Sequence, residues 1–323
     1  MSKFFLLLFL FILFSYFCTR YVLKNKNSKR INIVLLIWSV LLSLMFLETY
    51  YRFIYMKSAG VAILGDNFSK KYYKEDEWGF RDSLLPLSLH KLNIIILGDS
   101  FVYGHAFKSP EARYSNMLRG LLEDFHVVNL SESGASTNDE ILFLLKHRRR
   151  KAKTSLIVLN YVFNDIESSI PPDGGGGHYR PPKILRKIFS YIVFLKHVYY
   201  NFIYPVEAVN ERYFTMLREA YSNEKILQDH ILQLRLLKYV TEEIYDSKLL
   251  IVVWPWLDKI HYSKDYKRMI KEFEGLGISY IDLVPYLKKY KREEIMLSPK
   301  DPHPSEKANK VLTEIIYRYI ENS

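Results

Sequence analysis

Two long apolar segments open the chain. Residues 4–19 and residues 31–47 contain no charged side chain. Each segment is close to the roughly 17–25 residues with which a helix crosses a bilayer. Basic and tyrosine residues flank both segments, which is typical of positions at a membrane interface. The pattern predicts a transmembrane helical hairpin within residues 1–56.

The loop between the two segments predicts their orientation. It carries no acid and has five basic residues, which are Arg20, Lys24, Lys26, Lys29 and Arg30. The positive-inside rule assigns such a loop to the cytoplasm, so the chain after the hairpin is expected outside the cytoplasmic membrane. A cleaved signal peptide is the alternative for the first segment, although no small-x-small cleavage site follows it.

Beyond residue 90, short apolar runs alternate with amphipathic stretches. The runs at 92–97, 126–130, 156–161, 248–254 and 278–283 have the length and composition of strands. The stretches at 113–123, 139–147, 228–245, 264–275 and 305–321 have helical spacing. Alternation of this kind predicts an α/β fold in which helices cover both faces of a parallel sheet. We expect a three-layer α/β/α sandwich with a five-stranded, flavodoxin-like sheet.

These elements divide the chain into three predicted parts. The hairpin occupies 1–56, a tyrosine-rich stalk and lead-in occupies 57–90, and the α/β domain occupies 91–323. An insertion at about 171–247 opens with a glycine-rich loop and continues with an apolar, basic stretch at 184–206. That stretch is typical of an amphipathic helix packed on the domain or lying on the bilayer. We expect the insertion to cap the site of chemistry.

Charge and cysteine content bear on nucleic-acid binding and on disulfide formation. The formal net charge is +11, and five of those charges lie in the hairpin loop. The remaining basic runs, at 147–151 and 288–292, are typical of solvated helix ends, so nucleic-acid binding is not expected. The single cysteine, Cys18, excludes an intrachain disulfide.

Polar residues with catalytic potential follow the predicted strands. Ser100 comes directly after the first strand, Gly134 and Asn164 lie beyond the second and third, and Asp301 and His303 precede the last helix. His303 could accept the proton of Ser100 during attack on a carbonyl, with Asp301 fixing the imidazole tautomer. The N–H groups of Ser100 and Gly134 and the amide of Asn164 could bind the oxyanion.

Each of these signals also has a structural interpretation. Taken singly, they are typical of a turn, a loop glycine, a helix N-cap and a rigid approach to a helix. Asp301 and His303 would be half of a metal site, but no other group has the spacing to complete it, so neither metal nor cofactor is expected. His105 is interpreted as a surface-loop residue, with a place in the pocket as the alternative.

The four blocks, in this order between Gly98 and His303, resemble the SGNH (GDSL-type) hydrolase family. The resemblance implies Ser100 as nucleophile, His303 as base with Asp301 as its partner, and Ser100, Gly134 and Asn164 as the oxyanion hole. It also implies ester or acyl chemistry without metal or cofactor. The chain departs from the family pattern at Val162, where the family has glycine. It also departs in the two-residue spacing of the acid and the histidine.

The predicted function is that of a membrane-anchored extracytoplasmic SGNH/GDSL-type esterase. Its partners would be the lipid bilayer, through the two N-terminal helices, and an acyl ester such as an O-acyl group of an envelope glycan or lipid. Two alternatives remain. One is an acyltransferase on the same scaffold that modifies a cell-surface polysaccharide, and the other is a non-catalytic module for glycan binding or assembly.

Overall fold

The computed structural model forms two compact units. It describes residues 2–25, 27–55, 66–76, 78–82, 87–171, 181–204, 206–257, 260, 263–299 and 301–322. The hairpin unit comprises Met1–Ser69 and Tyr179–Val206, and the α/β unit comprises Lys70–His178 and Glu207–Ser323.

The helices and strands follow one another in a simple order. The α-helices are α1 (Ser2–Lys24), α2 (Ser28–Thr49), α3 (Asp66–Tyr72), α4 (Ser100–Tyr103), α5 (Tyr114–Leu121), α6 (Thr137–His147), α7 (Lys183–Tyr191), α8 (Val193–Val198), α9 (Val206–Ser222), α10 (Glu224–Tyr239), α11 (Lys264–Gly275), α12 (Val284–Leu287), α13 (Arg292–Ile295) and α14 (Glu306–Glu321). The strands are β1 (Leu92–Gly98), β2 (Phe125–Ser131), β3 (Thr154–Tyr161), β4 (Lys248–Val253), β5 (Ser279–Asp282), β6 (Met296–Ser298) and β7 (Asp301–Pro304). Short π-helical turns follow α2, α8 and α10 at Tyr50–Ile54, Tyr199–Ile203 and Val240–Ile244, and 3₁₀ turns lie at Pro110–Ala112 and Phe163–Ser169.

The first two helices are long and apolar enough to cross a membrane. The candidate spans are Lys3–Lys24 and Ser28–Ile54, and their apolar side chains are largely exposed. Asn27 caps α2 by accepting a hydrogen bond from the Arg30 N–H, and Trp38 Nε1 donates to Ser15 Oγ at 2.9 Å across the pair. Length and composition support a membrane hairpin, although a signal sequence meets the same criterion.

The sheet of the α/β unit has the predicted topology. Five parallel strands lie in the order β2-β1-β3-β4-β5, and both faces of the sheet are buried. Along β1, Ile95 and Leu97 enter one core while Ile94 and Ile96 enter the other, because successive side chains point to opposite faces of a strand. The three-layer, flavodoxin-like fold predicted from the sequence is therefore confirmed.

The observed elements differ from the predicted ones in detail. The helix expected at 228–245 begins at Glu224 and ends in a π-helical turn. An antiparallel ribbon of β6 and β7 lies beyond the predicted strands. The sequence analysis missed this ribbon because its two strands are too short to show a hydrophobic period.

The lead-in before β1 is built into the α/β unit. Phe80, Arg81 and Asp82 are buried, and Arg81 Nη1 and Nη2 donate to the carbonyls of Gly104 and Phe107 at 2.6 Å each. These bonds hold the loop that follows α4. The division into a stalk at 57–90 and a domain at 91–323 stays a prediction.

The predicted insertion is divided between the two units. Residues 181–204 belong to the hairpin unit, whereas α10 packs on the sheet through Leu227, Ile231 and Leu234. That helix is the ordinary crossover between β3 and β4. Most of the glycine-rich loop lies outside the described residues, and the capping role of the insertion stays a prediction.

Candidate active site

The carboxyl end of β1 presents Ser100 at the start of α4. A Cβ atom at Gly98 would lie 2.4 Å from Val102 Cγ2 and 3.2 Å from Asn160 Cβ, so only glycine allows this close turn. Ser100 is therefore displayed, partly exposed, at the edge of the sheet where parallel α/β folds bind their ligands.

Ser100, His303 and Asp301 form a continuous hydrogen-bonded chain. His303 Nε2 lies 2.9 Å from Ser100 Oγ, and His303 Nδ1 lies 2.6 Å from Asp301 Oδ1. The serine and the histidine are separated by 203 positions along the chain. Residues this far apart meet because β7 packs against α4, the helix that begins at Ser100.

The two-residue spacing of the acid and the histidine follows from strand geometry. Asp301 and His303 lie in β7, where alternate residues share one face. Pro302 and Pro304 follow them directly, and a residue before proline is restricted to extended conformations. The sequence thus enforces the extended backbone that turns both side chains the same way.

The environment keeps Asp301 ionised although it is 3% exposed. Burial raises the pKa of its carboxyl, but the hydrogen bond and charge of His303 outweigh burial and hold that pKa below its usual value. The His303 backbone N–H also donates to Asp301 Oδ1 at 3.2 Å. An ionised carboxylate here fixes the tautomer in which Nδ1 carries the proton and Nε2 faces the serine.

Asp99 positions two of the predicted site residues, a role that the sequence analysis missed. Its Oδ2 accepts from Asn164 Nδ2 at 2.9 Å and lies 3.3 Å from Ser100 Oγ, and its Oδ1 accepts from the Phe101 N–H. Burial raises the pKa of the Asp99 carboxyl, against the opposing effect of these donors. Since Nδ2 has two hydrogens, Asn164 keeps one for another acceptor.

Gly134 lies in the loop after β2, on the same edge as Ser100. Ser131 pairs with Gly98, so three residues beyond β2 bring the chain alongside the start of α4. Its φ of +83° is a left-handed conformation that favours glycine, while a Cβ there would meet nothing within 4 Å. The role of the Gly134 N–H as an oxyanion donor stays a proposal.

His105 is a part of the site that the sequence analysis placed on the surface. That interpretation is wrong, since its side chain is 10% exposed and its ring stacks on His303, with centroids 4.3 Å apart and planes at 25°. Burial and the charge of His303 lower the pKa of His105 to about 4. A neutral aromatic ring therefore lies against the imidazole that would become charged in catalysis.

His105, Asp301 and His303 also have the donor types of a metal site. One donor atom from each lies within 4.8 Å of the others. However, a metal must lie in the plane of each imidazole that binds it, and nearly parallel stacked rings direct their lone pairs side by side. Both ring nitrogens of His303 are also engaged already, by Ser100 and Asp301. The geometry fits a proton relay better than coordination.

Val162, which stands where the SGNH pattern has glycine, is buried in the core. Its side chain is 1% exposed and packs in the same core cluster as Phe101 and Trp254. Its N–H donates to Asp165 Oδ2 at 3.0 Å, which fixes the turn that carries Asn164. The extra bulk is therefore absorbed by the core.

Comparisons with known proteins return solved structures only. No protein-family model and no curated protein matches the chain. One similar structure is the YxiM protein of Bacillus subtilis, at 12% identity and a TM-score of 0.41; the match covers 72% of this chain and 56% of that one. A second is the lipase/acylhydrolase of Enterococcus faecalis, at 14% identity and a TM-score of 0.42, covering 72% and 96%.

A third similar structure is a member of the lipolytic G-D-S-L family from Veillonella parvula, at 14% identity and a TM-score of 0.40, covering 69% and 94%. The name of the Veillonella protein is that of the family which the four sequence blocks resemble. At such low identity, the similarity does not show what reaction this chain catalyses. The roles of its residues rest on the distances within its own site.

Proposed function

We propose that this protein is an ester hydrolase whose nucleophile is Ser100. The observation that carries the proposal is the chain of contacts from Ser100 Oγ to His303 Nε2 at 2.9 Å and from His303 Nδ1 to Asp301 Oδ1 at 2.6 Å. A serine so connected has a base to take its proton and a carboxylate to stabilise the imidazolium that results.

The reaction proceeds in two halves. Ser100 Oγ attacks the acyl carbonyl while its proton passes to His303 Nε2, and the tetrahedral intermediate collapses as His303 returns that proton to the leaving alcohol. Water then attacks the acyl-enzyme with its proton passing to His303. The second tetrahedral intermediate collapses as His303 returns that proton to Ser100 Oγ, which releases the acid and restores the serine. Asp301 stays ionised throughout and stabilises the imidazolium.

The oxyanion hole would use three donors. The N–H of Ser100 is free for this role because the first residue of a helix has no acceptor within the helix. The second amide hydrogen of Asn164 and the N–H of Gly134 would complete the set. Each such donor typically contributes about 2.7–4 kcal/mol to the stabilisation of the transition state.

The hairpin and its basic loop support an extracytoplasmic, membrane-anchored enzyme. A site held at the outer face of the cytoplasmic membrane would act on acyl esters found there, such as O-acyl groups of envelope glycans or lipids. Transfer to a sugar hydroxyl would pass through the same acyl-enzyme, with the alcohol taking the place of water.

The test is active-site labelling of the full chain with a fluorophosphonate, which reacts with activated serines. We expect the parent protein and Ser133→Ala, which changes an exposed serine in the β2 loop, to be labelled. Ser100→Ala should not be labelled. Equal labelling of Ser100→Ala would contradict the proposal.

The same chemistry can test acceptor and topology. Purified protein offered an acyl donor with and without a glycan acceptor distinguishes hydrolysis from transfer by its products. A membrane-impermeant fluorophosphonate should label intact cells as well as permeabilised ones. Labelling that requires permeabilisation would contradict the extracytoplasmic orientation.

A further inference from the structure

Residues 181–204 attach to one end of the hairpin. Because α1 and α2 are antiparallel, the start of α1 and the end of α2 lie together, and Phe4 and Phe53 are 5.0 Å apart between ring centroids. Lys3 Nζ donates to Ser190 Oγ at 2.8 Å and lies over the Tyr191 ring. A helix of this length spans about 35 Å, so the attached segment is a full membrane thickness from the basic loop.

A buried carboxylate holds this attachment. Glu48, on the last turn of α2, is 3% exposed and accepts from the N–H groups of Val193 and Phe194 at the start of α8, at 3.1 and 2.8 Å. Arg52 Nε donates to Glu48 at 2.8 Å, while its Nη2 donates to the Tyr191 carbonyl at 2.6 Å. An acid so placed stabilises the helix N-terminus that it caps.

The exposed side chains of this segment are mostly apolar or basic. Ile184 and Ile188 are one helical turn apart and share a face of α7, with Ile184 70% exposed, and Phe202 at the far end is 84% exposed. Residues 183–204 contain no acid, and their Lys and Arg side chains are Lys183, Arg186, Lys187 and Lys196. Exposed apolar side chains beside basic ones, with no acidic residue, are typical of helices that lie in a membrane interface.

We propose that residues 181–204 form an interfacial anchor that binds the outer surface of an anionic lipid bilayer. Ile184, Ile188 and Phe202 enter the acyl-chain region, while Lys183, Arg186 and Lys187, which are exposed, contact lipid phosphates. The partner follows from continuity with the hairpin and from the charge of the segment. This inference rests on the membrane-anchored part of the proposed function.

Spin labelling tests the anchor on the full chain. In a Cys18→Ser background, single cysteines replace Ile184 or Phe202, and the protein is reconstituted in phosphatidylcholine vesicles with or without phosphatidylglycerol. Phe9→Cys, midway along the exposed surface of α1, is the hairpin control, and Lys225→Cys, exposed on α10, is the water control. Collision of the label with oxygen reports lipid, and collision with a water-soluble nickel chelate reports solvent.

We expect labels at 184 and 202 to favour oxygen, as at position 9, while the label at 225 favours the chelate. If 184 and 202 behave like 225 while 9 still favours oxygen, the anchor is refuted and the hairpin stands. If position 9 also favours the chelate, the membrane-anchored part of the proposed function fails and the anchor fails with it.

A charge variant tests the lipid headgroups. In the parent, phosphatidylglycerol should raise the oxygen preference of the label at position 184, and the lack of such a gain would refute the preference for anionic lipid. With Lys183, Arg186 and Lys187 all changed to glutamine, that gain should disappear. An unchanged helical circular-dichroism spectrum and an unchanged oxygen preference at position 9 report that this variant is folded and inserted. An unchanged response to phosphatidylglycerol in the folded variant would refute the role of the basic side chains.

Discussion

Replacing Asp301 by asparagine keeps the size of the side chain and removes its charge. Asp301 Oδ1 lies 2.6 Å from His303 Nδ1. At an effective dielectric constant near 20, the Coulomb attraction between the carboxylate and an imidazolium is then at most about 6 kcal/mol. Asparagine can also donate to Nδ1 and so select the tautomer whose Nε2 carries a proton. Because each 1.36 kcal/mol is a factor of ten in rate, we expect a loss of about 10³- to 10⁴-fold in kcat.

The assay is hydrolysis of a chromogenic acetate ester by the purified full chain, together with the rate of fluorophosphonate labelling. Asp229→Asn, at an exposed position on α10, is the matched control and should keep the parent rates. A folded Asp301→Asn protein whose rates stay within tenfold of the parent would refute the assignment of the triad acid.

The same variant has a predicted effect on acid stability. The pKa of Asp301 is lowered in the folded chain, so the stability it contributes is present above the unfolded value of about 3.9. That contribution is lost as the pH falls through the lowered folded value. The Asp301→Asn protein should therefore lose less stability than the parent below about pH 4, in thermal unfolding followed against pH. An equal loss would contradict the lowered pKa.

Further variants, two of them controls, test the surroundings of the triad. Asn164→Ala should lower kcat about 10²- to 10³-fold by removing an oxyanion donor, and a loss under threefold would exclude that role. Gly98→Ala should destabilise the fold by about 1–3 kcal/mol through its clash with Val102, whereas Gly120→Ala, whose new methyl meets nothing within 4 Å, should raise stability by about 0.5–1 kcal/mol in thermal unfolding. His105→Leu should lower kcat/KM about two- to tenfold because it removes the ring stacked on the triad histidine. His105→Phe keeps an aromatic ring and should keep the parent kcat/KM. Equal effects of the two substitutions would argue against stacking.

The architecture could be predicted from the sequence alone because burial imposes a local pattern of apolar residues. An isoleucine-rich run such as 92–97, which is too short for a typical helix, indicates a strand buried on both faces, and its repetition between helical periods predicts a parallel sheet. Ser100 and Asn164 could be placed at one edge because parallel strands all end on the same side. Asp301 and His303 also carry local information, since the prolines that follow them enforce an extended backbone.

The tertiary structure decided the contacts that no local pattern encodes. Strand order and the packing of distant loops bring Ser100 to His303. They also stack His105 on the His303 ring and join Asn164 to Asp99. The sequence likewise could not tell that Val162 points into the core. Hydrophobic periods fix which side of an element is buried, whereas the partner of a polar side chain is fixed only when elements far apart in the chain are packed together.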